Sequence, residues 1–176
     1  MRESRPVWRA GAAFVGLVAL LCSLDDRVPL ASGVALAALL PAVLVDLIAG
    51  RLPNRLVGSA ALLGAVTLTV EFVLSGHRSA LSGAAVGALA MSGPLFIAHL
   101  VAPAAMGFGD VKAALVAGAA LGLVDPILGL AALAIGSAGT AVVGVVTRRR
   151  TLVFGPGLIC GAVIALVAAV TESGVR

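Results

Sequence analysis

Seven apolar runs, at about residues 10–24, 29–48, 56–75, 80–101, 111–124, 126–147 and 152–171, account for most of this chain and are separated by glycine, proline and charge. A membrane-crossing helix takes ~20 residues, so little is left for a soluble nucleotide- or metal-binding domain. The runs are too long for barrel strands and lack their alternation. In lipid that leaves helices, which satisfy their own backbone groups. Composition agrees: 61% of the 176 residues are hydrophobic and 11% charged, against about 45–50% and 25% in soluble domains. Too few polar groups remain to face water, and disorder requires the opposite balance. The expected fold is all-α, a polytopic transmembrane helical bundle of about seven spans.

Charge orients the bundle. With the N-terminus inside, nine basic residues fall on the inner side (Arg2, Arg5, Arg9, Arg51, Arg55, Lys112, Arg148, Arg149, Arg150) and three outside (Arg27, Arg78, Arg176). This is a positive-inside bias. It accounts for the net charge of +4 without a nucleic-acid partner. The first run follows three arginines, but Ser23-Leu24-Asp25-Asp26 offers no small-x-small cleavage site and Leu20-Leu21-Cys22 no lipoprotein box. It reads as a retained anchor, giving an anchor over 1–28 and a main transmembrane domain over 29–176. Cys22 and Cys160 sit inside apolar runs without CxxC pairing and read as small buried hydrophobes. Asp125-Pro126 is expected to start the sixth helix, as a cap followed by a proline in the first turn.

An acid within a span is costly and is a functional candidate by default. Asp46 lies four residues before Gly50, at the inner end of the second run, and Asp110 follows Gly107-Phe108-Gly109 at the inner mouth of the fifth. Two carboxylates thus reach one depth, on one side, from different helices. Glu71 is about a turn from the outer end of its span, within reach of water. His99 lies near the inner end of the fourth span and reads as a packing histidine. Ser92 is two turns from it, too far for a nucleophile and its base. No HExxH zinc motif is present and no metal or cofactor is expected. Three GxxxG pairs occur (Gly83/Gly87, Gly118/Gly122, Gly157/Gly161), where about 2.7 are expected by chance from 22 glycines; they mark close helix packing at most. For GxGD the chance expectation is roughly 0.08.

Asp46-Leu-Ile-Ala-Gly-Arg-Leu-Pro53-Asn54 resembles the first motif of the type IV prepilin peptidases, an Asp followed at a fixed distance by Pro-Asn. Gly107-Phe-Gly-Asp110-Val-Lys112 is similar to their second, GxGDxK, and Phe154-Gly155-Pro156 to a third, structural segment. Asn54 and Lys112, the only Asn and the only Lys of the chain, both fall inside these motifs. The cysteine-rich segment linked to N-methylation in bifunctional members is missing, so the resemblance is to short, peptidase-only forms. It implies a GxGD-type intramembrane aspartic protease with Asp46 and Asp110 as catalytic pair. Gly107, Gly109, Lys112, Pro53 and Asn54 would support the site or bind substrate. The implied partners are the lipid bilayer and a prepilin or pseudopilin with a basic leader, cut at the cytoplasmic face of the inner (plasma) membrane; a homo-oligomer is compatible with this.

The residues themselves add mechanism. Two nearby carboxylates share a proton, so one serves as base and the other as acid. Gly107 and Gly109 would let the backbone bend tightly and approach a substrate strand. Lys112 is two residues from Asp110 and does not face it on a helix; snorkelling to lipid phosphate competes with a contact to substrate or protein. Pro53-Asn54 would stop the second helix beneath the site. The competing class is a small transporter or channel in which Asp46 and Asp110 bind a cation or relay protons. It predicts internal repeats with paired broken helices, which the sequence does not show.

Overall fold

The computed structural model describes residues 28–49, 53–75, 79–103, 107–148 and 154–173. These form six helices: α1 Leu30–Ala49, α2 Asn54–Ser75, α3 Ser79–Val101, α4 Phe108–Gly122, α5 Leu128–Thr147 and α6 Gly155–Ser173. Each falls within three residues of an expected run. Six of the seven expected runs are helices among the described residues; the first, about 10–24, lies outside them, as do Cys22, Arg51 and Arg149–Arg150. Among the described residues, three stretches are long and apolar enough to cross a membrane, Leu81–Val101, Leu128–Thr147 and Gly155–Glu172; Leu30–Asp46 and Asn54–Val70 are shorter apolar stretches.

α4 is the axis of the bundle and touches all five other helices. Its 15 residues rise only about 22 Å, less than a hydrocarbon core of about 30 Å. A helix this short is sheltered from lipid by its neighbours: Val111, Ala113, Ala114, Val116, Ala117, Gly118, Ala120, Leu121 and Gly122 are all buried. Small side chains on most of these positions let surrounding helices come close. Ser32 on α1 is fully buried and donates its hydroxyl to the Ala120 carbonyl oxygen at 2.7 Å, pinning α1 to α4.

Glycine explains which helices pair. A Cβ at Gly83 or Gly87 on α3 would run into the carbonyl oxygens of Gly122 and Gly118 on α4, and the reverse substitutions meet Gly83 and Gly87. The first GxxxG pair therefore seats on the second, antiparallel. The third, Gly157/Gly161 on α6, seats on Ala132 and Gly136 of α5. All three motifs lie at helix contacts, although their number alone did not exceed chance. Without a hydrophobic force between helices in lipid, such close backbone approach is what holds the pairs.

Two expectations are corrected. Cys160 is exposed, because it lies on the face of α6 turned away from the bundle core, so it is not a buried hydrophobe. Asp125 does not begin a helix directly. Its Oδ1 accepts the Ile127 N–H at 2.8 Å, an Asx turn, and α5 starts at Leu128 with no side-chain cap.

The glycine seam generates a testable contrast. Gly122→Ala forces a methyl group into the Gly83 carbonyl and is expected to cost about 1–3 kcal/mol. Gly139→Ala enters open space and is expected to be neutral or stabilising by up to ~1 kcal/mol. Thermal unfolding in detergent measures both.

Candidate functional site

Asp46 sits in the last turn of α1, where the side chain is buried with 4% of its surface exposed. Asp110 is half-buried in the first turn of α4. Asp46 lies within electrostatic range of Asp110.

Each carboxyl stands at a helix start. Gly107 is the N-cap of α4, which makes Asp110 the third helical residue, and the Asp110 Oδ2 lies beside Gly107. The Asp46 carboxyl stands against Gly155 at the head of α6. Pro156 carries no N–H, and the first intrahelical bond runs from Leu158 N–H to the Phe154 carbonyl. The Oδ2 atom of Asp46 is fully buried and has no hydrogen-bond partner among the described residues.

Of the other motif residues, Lys112 donates from Nζ to Asn54 Oδ1 at 3.1 Å. The same ammonium lies 5.0 Å from the centre of the Phe108 ring, a cation–π distance. The only Lys and the only Asn of the chain are therefore each other's partners, and they tie α4 to the start of α2. Pro53 begins α2 rather than ending α1, its carbonyl accepting the Leu56 and Val57 N–H groups at 3.1 and 3.2 Å. His99 packs its ring 5.4 Å from that of Phe108, which also meets Phe96 edge-on at 6.4 Å. Ser92 is buried and donates to the Ala88 carbonyl at 2.7 Å within its own helix.

One expectation changes. Gly107 has φ −71° and ψ 138°, an extended conformation open to any residue. Its torsions therefore supply no tight bend. Gly109 lies inside the first turn of α4. Residue reasoning also missed Gly155 as a neighbour of Asp46, since nothing in local spacing relates residues more than a hundred positions apart. The only signal available was the Phe-Gly-Pro segment at a helix start.

The type IV leader peptidase family model matches residues 33–166, which include both acids and all three motifs. The chain belongs to that family, and is a multi-pass membrane protein of the protease class acting on prepilin-like substrates. No curated protein and no solved structure matches it significantly.

The Lys112–Asn54 link is open to a double-mutant cycle. Because the pair is exposed, Lys112→Ala and Asn54→Ala should each cost no more than about 1 kcal/mol, with a coupling of about 0.5 kcal/mol. The double variant is expected to be less harmful than the sum of the singles, as read by thermal unfolding. Strict additivity would show that the two side chains do not act on each other.

Proposed function

We propose that this member of the type IV leader peptidase family is an intramembrane aspartic endopeptidase that removes the short basic leader of prepilin-like proteins at the cytoplasmic face of the inner membrane. The observation that supports the reading is that Asp46 and Asp110, carried by different helices, lie at one end of the bundle within electrostatic range of each other. Peptide hydrolysis by such a pair needs a base to activate water and an acid to protonate the leaving amine. Two carboxyls that face each other hold one proton between them, which supplies both roles at once. The pair titrates as a unit, so base and acid are roles of the dyad rather than of a named residue. Residues 29–176 form the peptidase unit in this reading, with 1–28 as its anchor.

Charge supports the orientation. Arg55 at the start of α2, Lys112 in α4 and Arg148 at the end of α5 lie at the same helix ends as the two acids. Asp125 lies at the opposite end, beyond α4. A basic leader would approach the end where the acids face the cytoplasm.

The dyad is tested by substitution. Asp46→Asn and Asp110→Asn should each abolish cleavage of a prepilin-like substrate in reconstituted membranes while leaving insertion intact, since Asn keeps the size and removes the charge. The double variant should be no worse than either single, as expected for residues acting as one unit. Asp→Glu should fail at both positions, because one methylene displaces the carboxyl. Near wild-type cleavage by either Asn variant would refute the dyad and return the chain to the transporter class.

Orientation is tested by labelling. Cysteines placed at the exposed Arg55 and Asp125, with Cys22 and Cys160 replaced by serine, should react with an impermeant reagent from opposite faces of sealed vesicles. Reaction of both from one face would overturn the proposed topology.

A further inference from the structure

The geometry points to Gly155 as a positioning residue for Asp46: only a residue without a side chain leaves the Asp46 carboxyl room to stand against the head of α6. The inference rests on the proposed catalytic reading of Asp46 and names a further residue that the reading needs. A Cβ built on Gly155 would lie 2.5 Å from Asp46 Oδ2, 3.4 Å from its Cγ and 3.7 Å from its Cβ. Real Cβ contacts essentially never fall below 3.0 Å. All three nearest atoms belong to Asp46, so the space is reserved for that one side chain rather than for a passing helix.

Gly157, two residues on, gives the contrast. A Cβ there meets the Thr140 hydroxyl and, at 2.9 Å, the Gly136 carbonyl oxygen of α5. Gly157 is a packing glycine, and its obstacle includes backbone that cannot turn aside. The obstacle at Gly155 is the tip of a side chain, which can. Adding a methyl group at Gly155 therefore moves the carboxyl and spares the fold, whereas adding one at Gly157 strains the fold and spares the carboxyl. Pro156 has no N–H of its own in that first turn.

The full chain, reconstituted in vesicles, is assayed on a synthetic peptide with a basic leader and an apolar segment, and its unfolding midpoint is recorded in detergent. Gly155→Ala is expected to keep its midpoint and its KM while kcat falls about 100-fold, the scale of an ångström-sized misplacement. Gly157→Ala is expected to unfold at lower temperature with kcat retained. Wild-type kcat in Gly155→Ala overturns the inference. So does a loss that merely tracks its folded fraction, as a packing role predicts. If Gly155→Ala accumulates poorly, adding Asp46→Ala removes the colliding carboxyl and should restore the midpoint; failure to restore it also overturns the inference. Asp46→Asn is run alongside. Retained cleavage there sinks the catalytic reading itself, whereas abolished cleavage with an unaffected Gly155→Ala removes only the positioning role.

Discussion

Helices in lipid gain nothing from exchanging hydrocarbon for hydrocarbon, so this bundle depends on how closely backbones can approach. The two glycine seams are the places where that approach is closest. On one, Gly83 and Gly87 of α3 meet Gly118 and Gly122 of α4; on the other, Gly157 and Gly161 of α6 meet Ala132 and Gly136 of α5. Each seam fixes the position of one helix that matters to the site. The first sets α4, whose opening turn carries Asp110. The second sets α6, whose head receives Asp46. With α1 tied to α4 through Ser32, the remaining freedom of the two carboxyls is that of their own side chains.

The site then reuses an ordinary property of helix ends. A helix begins with backbone N–H groups that have no partner in the helix, and in a membrane an unpaired donor is expensive. Asp110 stands beside the head of its own helix and Asp46 against the head of another. Helix ends are also where a chain leaves the apolar layer, so a charge-bearing pair there stays close to water and to a polar substrate segment. The Lys112–Asn54 bond and the Phe108 ring under the ammonium brace the same end from outside.

The boundaries of the six described helices were legible because glycine, proline and charge interrupt otherwise continuous apolar runs. The placement of Asp110 is local, since a residue three positions into a helix lies near its cap, and GxGD carries that spacing. The dispersal of Asp125 into an Asx turn was less so, because Asp-Pro suits a turn and a helix start equally well. Cys160 was misplaced for a different reason: in a bundle the apolar residues face lipid as readily as core, so hydrophobicity no longer reports burial.

Gly155 marks where sequence reasoning loses its grip, and the reason is physical. A glycine that admits an unusual torsion announces itself by its neighbours in a turn, and one that seats a helix by its four-residue spacing. The space beside Gly155 is needed by a side chain that arrives from another helix, 109 residues earlier in the chain. No periodicity within α6 encodes that demand, and Gly157 beside it obeys a different one. The Phe-Gly-Pro segment is thus two devices in succession. Proline removes one N–H from the first turn and glycine clears the volume that the carboxyl fills. The carboxyl that fills this volume is buried, with its Oδ2 lacking a hydrogen-bond partner among the described residues, and lies within electrostatic range of Asp110. Two acids so placed do not readily ionise together.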